Sequence, residues 1–338
     1  MFLLDIRYDH STITKWIKDD AGTMPVREAY YPSIYLSGKP EMKSLVASLP
    51  GVREVRFEKK STGLDSAPEE LLCATIDPGA VYETASMLEA KGCDLYNIDL
   101  DPVRQYLLER SLFPMIKLDG RDKQFAIDYE LPPLASMKLS VTPERDRGIA
   151  TTDDPIRSIT LGDTVLEGGD EAGLLKMVSR EVAAIDPDII LTEHGDSFDL
   201  PYLYHRAALH EVNIQLGRIL YKPGRCLLSG RLHLDASSFV FREGGLSGLI
   251  DLARITGIPI QELSRLSPGS AVTALQVNQA LKDGVLVPWK RNLAEYWKTA
   301  EELLIADRGA LVIEPKVGLH ENVFEVDFAS LFPNPRVR

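Results

Sequence analysis

The sequence predicts an α/β fold in three consecutive parts, residues 1–132, 133–262 and 263–338. Three observations carry this reading. Alternating segments and helical segments take turns between Met1 and Met115. A strand, helix, strand, loop and helix follow one another between Met137 and Val212. Near the end, Glu325-Val326-Asp327-Phe328-Ala329-Ser330-Leu331-Phe332-Pro333-Asn334 reads as a buried strand that delivers one carboxylate to its tip and turns into a helix.

The apolar and charged fractions, 44% and 26%, are those of an ordinary globular protein. No apolar run approaches the length needed to span a bilayer. Met1-Phe2-Leu3-Leu4-Asp5-Ile6-Arg7 has no basic n-region, so no signal peptide is expected. Cys73, Cys93 and Cys226 lie far apart without metal spacing and read as reduced thiols, which fits a cytoplasmic setting. The net charge of −12 excludes an indiscriminate nucleic-acid binder but permits positive potential confined to one channel.

In the first part, Phe2–Ile6, Thr12–Ile17 and Ser33–Leu36 alternate as strands, with Asp19-Asp20-Ala21-Gly22 as turn material. Met42–Ser48 reads as a helix, Val52–Phe57 and Leu71–Ile76 as strands, Lys59–Glu70 as a polar loop, and Ala80–Ala90 as a helix. Asp101 is a good N-cap with Pro102 at the first helical position. Val103, Tyr106, Leu107 and Arg110 follow at helical spacing, and Pro114 stops the helix.

In the middle part, Met137–Glu144 and Ile156–Leu161 read as strands. Asp170 and Glu171 open a helix whose dipole they complement, with Leu174, Met177, Val178 and Val182 as its buried face. Asp186-Pro187-Asp188 ends it. Ile189–Thr192 is a short buried strand, Glu193–Asp199 a loop, and Leu200–Val212 a helix.

Asp186–Leu203, with Gly195-Asp196-Ser197-Phe198-Asp199 at its centre and Arg206 beyond, resembles the second exonuclease motif of family B DNA polymerases. The Asp101–Met115 helix resembles the close of their N-terminal domain, and Asp327–Asn334 resembles their motif A. Asp307-Arg308-Gly309-Ala310 and Glu314–Leu319 are similar to the segments that lead into motif A, with Ala310 in place of a Gly. Ser264–Lys290 is similar to the connector from exonuclease to palm. The resemblance implies an N-terminal α/β domain, an RNase H-like 3′–5′ exonuclease domain and the first strands of a palm. It also implies DNA, single-stranded or primer-template, as partner and Mg²⁺ as cofactor of the intact polymerase, with no membrane. Asp327 would hold a catalytic metal and Phe332 would occupy the steric-gate position. The chain stops within motif A, before the fingers, thumb and motif C aspartates, so neither polymerisation nor tight Mg²⁺ binding is expected of it.

Carried over residue by residue, the exonuclease site is damaged. Asp199 matches the second motif's Asp and Glu144 the Glu of the first motif's Asp-x-Glu. Thr142 replaces the Asp of that pair, and His194 stands where the family has Asn. The third motif, Tyr-x-x-x-Asp on a helix after Gly230–Asp235, is not found. Asp146 and Asp196 are candidate stand-ins or solvated loop carboxylates. Tyr202, Tyr204 and Arg206 are candidate DNA contacts, Tyr202 equally a core residue. A compact, disrupted exonuclease domain resembles the divergent second group of archaeal family B polymerases. Two other readings stay open: a working 3′–5′ exonuclease, and a non-catalytic DNA-binding or assembly protein.

Overall fold

A computed structural model describes residues 1–38, 41–145, 151–219, 226–289, 297–306 and 313–326. The chain opens with β1 (Phe2–Asp9), β2 (Thr12–Asp19) and β3 (Gly22–Ala29), an antiparallel sheet in that order. Strand β3 lies outside the sequence expectation. Its largely exposed residues and Pro25 hide it, but at an edge the missing proline N–H is tolerated.

Then come β4 (Ser33–Leu36), α1 (Met42–Ala47), β5 (Val52–Lys60), β6 (Glu69–Ile76), α2 (Val81–Glu89) and β7 (Leu95–Tyr96). Their sheet has the order β5-β6-β4-β7. Helix α3 (Pro102–Glu109) starts as expected, with the Asp101 carboxylate accepting from the Val103 and Arg104 N–H groups at 2.9 and 3.2 Å.

The third sheet is built from β8 (Ser136–Pro143), β9 (Ile156–Leu161), β10 (Thr164–Glu167), β11 (Ile189–Thr192) and β12 (Leu232–Asp235). Helix α4 (Glu171–Ile185) precedes β11, and α5 (Leu200–Leu209) follows it. The strand order is β10-β9-β8-β11-β12, with β11 parallel to both neighbours. Strand β8 alternates: Met137, Leu139 and Val141 are buried, and Lys138, Ser140 and Thr142 are not. They pack with Leu174, Leu175, Val178 and Val182 of α4 into one core. Leu175 takes the place expected of Met177, which is 42% exposed.

Helices α6 (Phe239–Thr256), α7 (Ile260–Leu263) and α8 (Pro268–Lys282) close a second core over Ile189, Leu232 and Leu234. Leu4, Trp16 and Met115 belong to the same core, so the first and third sheets share buried surface. Gly230 makes that approach possible. Its φ is +79°, and a Cβ there would lie 2.7 Å from the Trp16 ring.

Met1–Lys290 is one compact unit and Arg291–Arg338 a second. In the second, the described residues are α9 (Ala300–Ala306) and the segment 313–326. The strand expected to reach Asp327 is not formed by its described part. Phe324 and Val326 are 86% and 93% exposed, and no neighbouring strand takes up the backbone groups of 313–326 among the described residues. Asp327, Phe332 and Asp146 lie outside the described residues. No helix among the described residues is long and apolar enough to cross a membrane.

Candidate functional site

Strands β11 and β12 pair in parallel with Thr192 opposite Asp235, so both carboxyl ends reach one edge of the sheet. Ligand sites of α/β sheets form beyond such ends. There the chain turns through a π-helical segment, Gly195–Asp199, into α5. Gly195 is set by space. A Cβ would fall 2.0 Å from Thr192 Oγ1 and 2.4 Å from His233 Nε2, two atoms that themselves lie 2.9 Å apart in a hydrogen bond.

His233 is fully buried on β12. Burial, then the Arg265 guanidinium, push its imidazole down to about 4, so it is neutral at pH 7. Its Nδ1 lies 2.8 Å from Arg265 Nη2 and 2.8 Å from the Cys226 carbonyl oxygen. Arg265, between α7 and α8, thereby caps this edge of the sheet.

Three carboxylates surround that core, and each accepts from protein donors. Asp196 Oδ1 accepts from Arg265 Nη2 at 2.8 Å. Asp235 accepts from the Asp196 N–H at 3.0 Å, the Ser237 N–H at 2.9 Å and the Ser237 hydroxyl at 2.6 Å. Asp199 Oδ1 accepts from the Val141 N–H at 3.1 Å.

That last bond explains how β8 ends. β11 covers β8 only over Ser136–Lys138, which leaves the next donors on that side open. Asp199 takes the Val141 N–H. Pro143, two residues on and therefore on the same side, has no N–H to satisfy. The ladder to β9 shifts register between Thr142 and Pro143, so the proline is accommodated at an irregularity rather than inside a regular ladder.

Burial raises the Asp199 pKa, and the Asp235 charge adds to it, against the lowering effect of the Val141 and His194 backbone and the His194 side chain. Burial also raises Asp235, but the Asp196 N–H and the Ser237 donors outweigh it and leave its pKa lowered.

Residues 147–243 match the family model described as DNA polymerase family B, exonuclease domain. The DNA polymerase of Archaeoglobus fulgidus is 23% identical over 98% of this chain and 53% of its own length. That alignment runs over 423 positions, more than the 338 residues here, so the relative carries segments this chain lacks. The DNA polymerase of Pyrococcus horikoshii is 24% identical over 71% of this chain and 25% of its own length. The solved family B DNA polymerase of Pyrobaculum calidifontis superposes with a TM-score of 0.73 at 18% identity, covering 95% of this chain and 54% of that one. Residues 147–243 thus carry a family B exonuclease-domain match, and the chain as a whole is similar to the N-terminal part of family B DNA polymerases. It spans about half the length, or less, of these relatives.

Measured against a two-metal exonuclease site of that family, the residues present do not fit. Thr142 is exposed at the end of β8 and brings no carboxylate. Glu144 is exposed and lines a concavity with Arg157, Glu167 and Glu171 whose walls do not include Asp199. His194 is exposed, and its carbonyl oxygen accepts the Phe198 and Asp199 N–H groups. Asp196, partly exposed, is held by Arg265 and so is not a free metal ligand. Among the described residues no group of three or more His, Cys, Asp or Glu is arranged to hold a metal. No tyrosine occurs between Asp235 and Trp289, and α6 carries only Glu243 and Asp251 as acids. Asp251 accepts from the Tyr129 hydroxyl at 2.5 Å.

The candidate DNA contacts need correction. Tyr202 is fully buried, stacks on Phe198 at 4.9 Å, and donates to the Asp154 carbonyl oxygen at 2.7 Å. It is a core residue. Arg206 is 8% exposed and donates to both oxygens of Glu171, at 2.7 and 2.5 Å, so its charge is not free for a phosphate. Burial raises Glu171, but Arg206, the Ile156 N–H and His210 outweigh it and hold its pKa at about 2. Tyr204 is half-buried against the α4–α5 core.

Sequence reasoning missed Asp235, His233 and Arg265 as members of this site. Two polar side chains in the buried run Leu232-His233-Leu234-Asp235 were the available signal, since buried polar groups need partners. Arg265 gave none, because its partners come from two other elements.

Proposed function

We propose that this chain is the N-terminal and exonuclease-like portion of a divergent family B DNA polymerase and that its exonuclease domain keeps the fold without the nuclease chemistry. The supporting observation is the use of the three cleft carboxylates. Asp196 serves Arg265, Asp235 serves the Gly195–Asp199 turn and Ser237, and Asp199 closes the open side of β8. They act as acceptors that hold the sheet edge together. In the intact polymerase, Asp327 holds a catalytic metal and Phe332 sits under the sugar. We divide the chain near residues 132 and 262.

DNA is the partner in this reading, bound weakly by phosphate contacts outside the buried Tyr202 and Arg206, with an affinity that falls steeply with salt. The test is incubation of the chain with 5′-labelled single-stranded DNA in Mg²⁺ or Mn²⁺. No shortening beyond that of Asp199→Ala is expected. Shortening that Asp199→Ala abolishes overturns the proposal in favour of an active exonuclease.

A further inference from the structure

A cleft of about 460 Å³ opens between α3, the turn at Asp122–Gln124 and α8. Arg104, Lys123 and Lys282 line it together with the half-buried Leu112, over the buried Leu107 and Phe113. Arg104 is the unusual member. Every other buried or half-buried arginine among the described residues meets a carboxylate within 4 Å, as Arg206, Arg218, Arg231, Arg254 and Arg265 do. Arg104 donates only to neutral oxygens, the Ala274 carbonyl at 3.2 Å and Asn278 Oδ1 at 3.1 Å, and Asp101 acts on it through space without an ion pair. Its Nε is buried with no partner. Burial outweighs the distant Asp101 charge on this guanidinium, and an anion in direct contact would relieve that cost.

The two lysines add to the imbalance. Neither forms an ion pair among the described residues, and Lys282 Nζ donates to the neutral Gln124 Oε1 at 2.8 Å. The one acid in the wall, Asp122, has both oxygens engaged by Arg254, at 3.1 and 2.7 Å. In a chain of net charge −12, three cations around one cleft form no ion pair within 4 Å among the described residues. The volume lies in the range of small-ligand pockets.

We infer that this cleft binds a nucleotide, with the phosphate on Arg104, Lys123 and Lys282 and the base against the half-buried Leu112. A guanidinium and ammonium groups match phosphate oxygens, and an apolar wall matches the face of a base. The nucleotide is either free or one unit of a strand. The inference rests on the cleft alone and stands independently of any nuclease or polymerase reading.

The test is calorimetric titration of the full chain at low salt with ADP, inorganic phosphate and a short oligothymidylate. Two variants accompany it. Arg104→Gln removes the central charge. Because Arg104 also ties α3 to α8, the double variant Lys123→Glu, Lys282→Glu, which alters only exposed side chains, keeps the test decisive if Arg104→Gln does not fold. Saturable ADP binding, competed by phosphate and weakened roughly tenfold or more in the double variant, supports a free nucleotide. Oligothymidylate binding alone, weakened in the same way, supports a nucleotide within a strand. No binding of any probe, or binding unchanged in the double variant, overturns the inference.

Discussion

The two ends of β11 solve the same electrostatic problem in opposite ways. At its start, Asp188 is fully buried and meets Lys18 at 3.0 Å and Arg218 at 3.1 Å, while Asp186 meets Arg231 at 2.6 Å. Asp188 also accepts from the Ala135 N–H at 3.1 Å and the Thr23 hydroxyl at 3.3 Å. Cations here outnumber carboxylates, and Lys18 comes from β2, so this end fastens the first sheet to the third. At the other end only Asp196 meets a guanidinium, that of Arg265, while Asp199 and Asp235 rely on N–H and O–H donors. Burial is the first cause of the raised pKa of Asp199, with the Asp235 charge adding to it, whereas the Asp196 N–H and the Ser237 donors are enough to leave Asp235 lowered. Acidic residues close in sequence can therefore be cation-paired fasteners at one end of a strand and acceptors for backbone and hydroxyl donors at the other.

The largest expected effect breaks the balanced end. Asp188→Ala leaves Lys18 and Arg218 buried beside an apolar hole, which is expected to lower stability by roughly 3–5 kcal/mol in urea unfolding. A loss under about 1 kcal/mol would mean that water reaches those cations and the fastener is no such thing.

Glu171 is next. Glu171→Gln weakens a two-pronged arginine bond, with an expected loss of about 1.5–3 kcal/mol at pH 7. Its folded pKa, about 2, is below the unfolded value, so the stabilisation is present above the ordinary glutamate range and is lost as pH falls toward 2. The difference between parent and variant should shrink across that window. A difference that stays constant with pH removes the carboxylate as its source.

Asp199 carries the opposite sign. Its folded pKa is raised, so the folded state is favoured when it is protonated and loses stability as pH rises through the folded value. Asp199→Asn keeps an acceptor for the Val141 N–H and removes the buried charge. The variant is expected to be slightly more stable than the parent at pH 7, with the gain gone below the ordinary aspartate range. Equal or lower stability at pH 7 would show that Asp199 is already compensated.

The balanced end and the acceptor end were not equally legible in the sequence. Alternation in β8, the Asp101 cap and the apolar Ile189–Thr192 run announced their elements, because each depends on neighbours a few residues away. Edge strand β3 did not, because an exposed edge with a proline has no apolar period to read. Within the site, Asp199 and Gly195 were visible as a motif. Asp235 was visible only as the tip of a strand, and Arg265 not at all, since its meeting with Asp196 closes a gap of 69 residues. Tyr202 and Arg206 show the converse failure. Their aromatic and cationic character suggested a DNA surface, whereas helical phase turns both into the core, where Asp154 and Glu171 receive them.

The smallest expected effect adds charge to the acceptor end. Thr142→Asp places another carboxylate at the end of β8 and should tighten Mn²⁺ binding relative to the parent, while single-stranded DNA remains uncut. Unchanged metal affinity would mean that Thr142 does not occupy the first motif's Asp position. Efficient cutting would mean that a third motif exists elsewhere in the chain.

The parent chain itself gives the most direct test of the claim that the cleft carboxylates serve the protein rather than a metal. Calorimetric titration with Mn²⁺ should show no saturable micromolar site, and Asp199→Ala should leave the trace unchanged. A micromolar site that disappears in Asp199→Ala would contradict it.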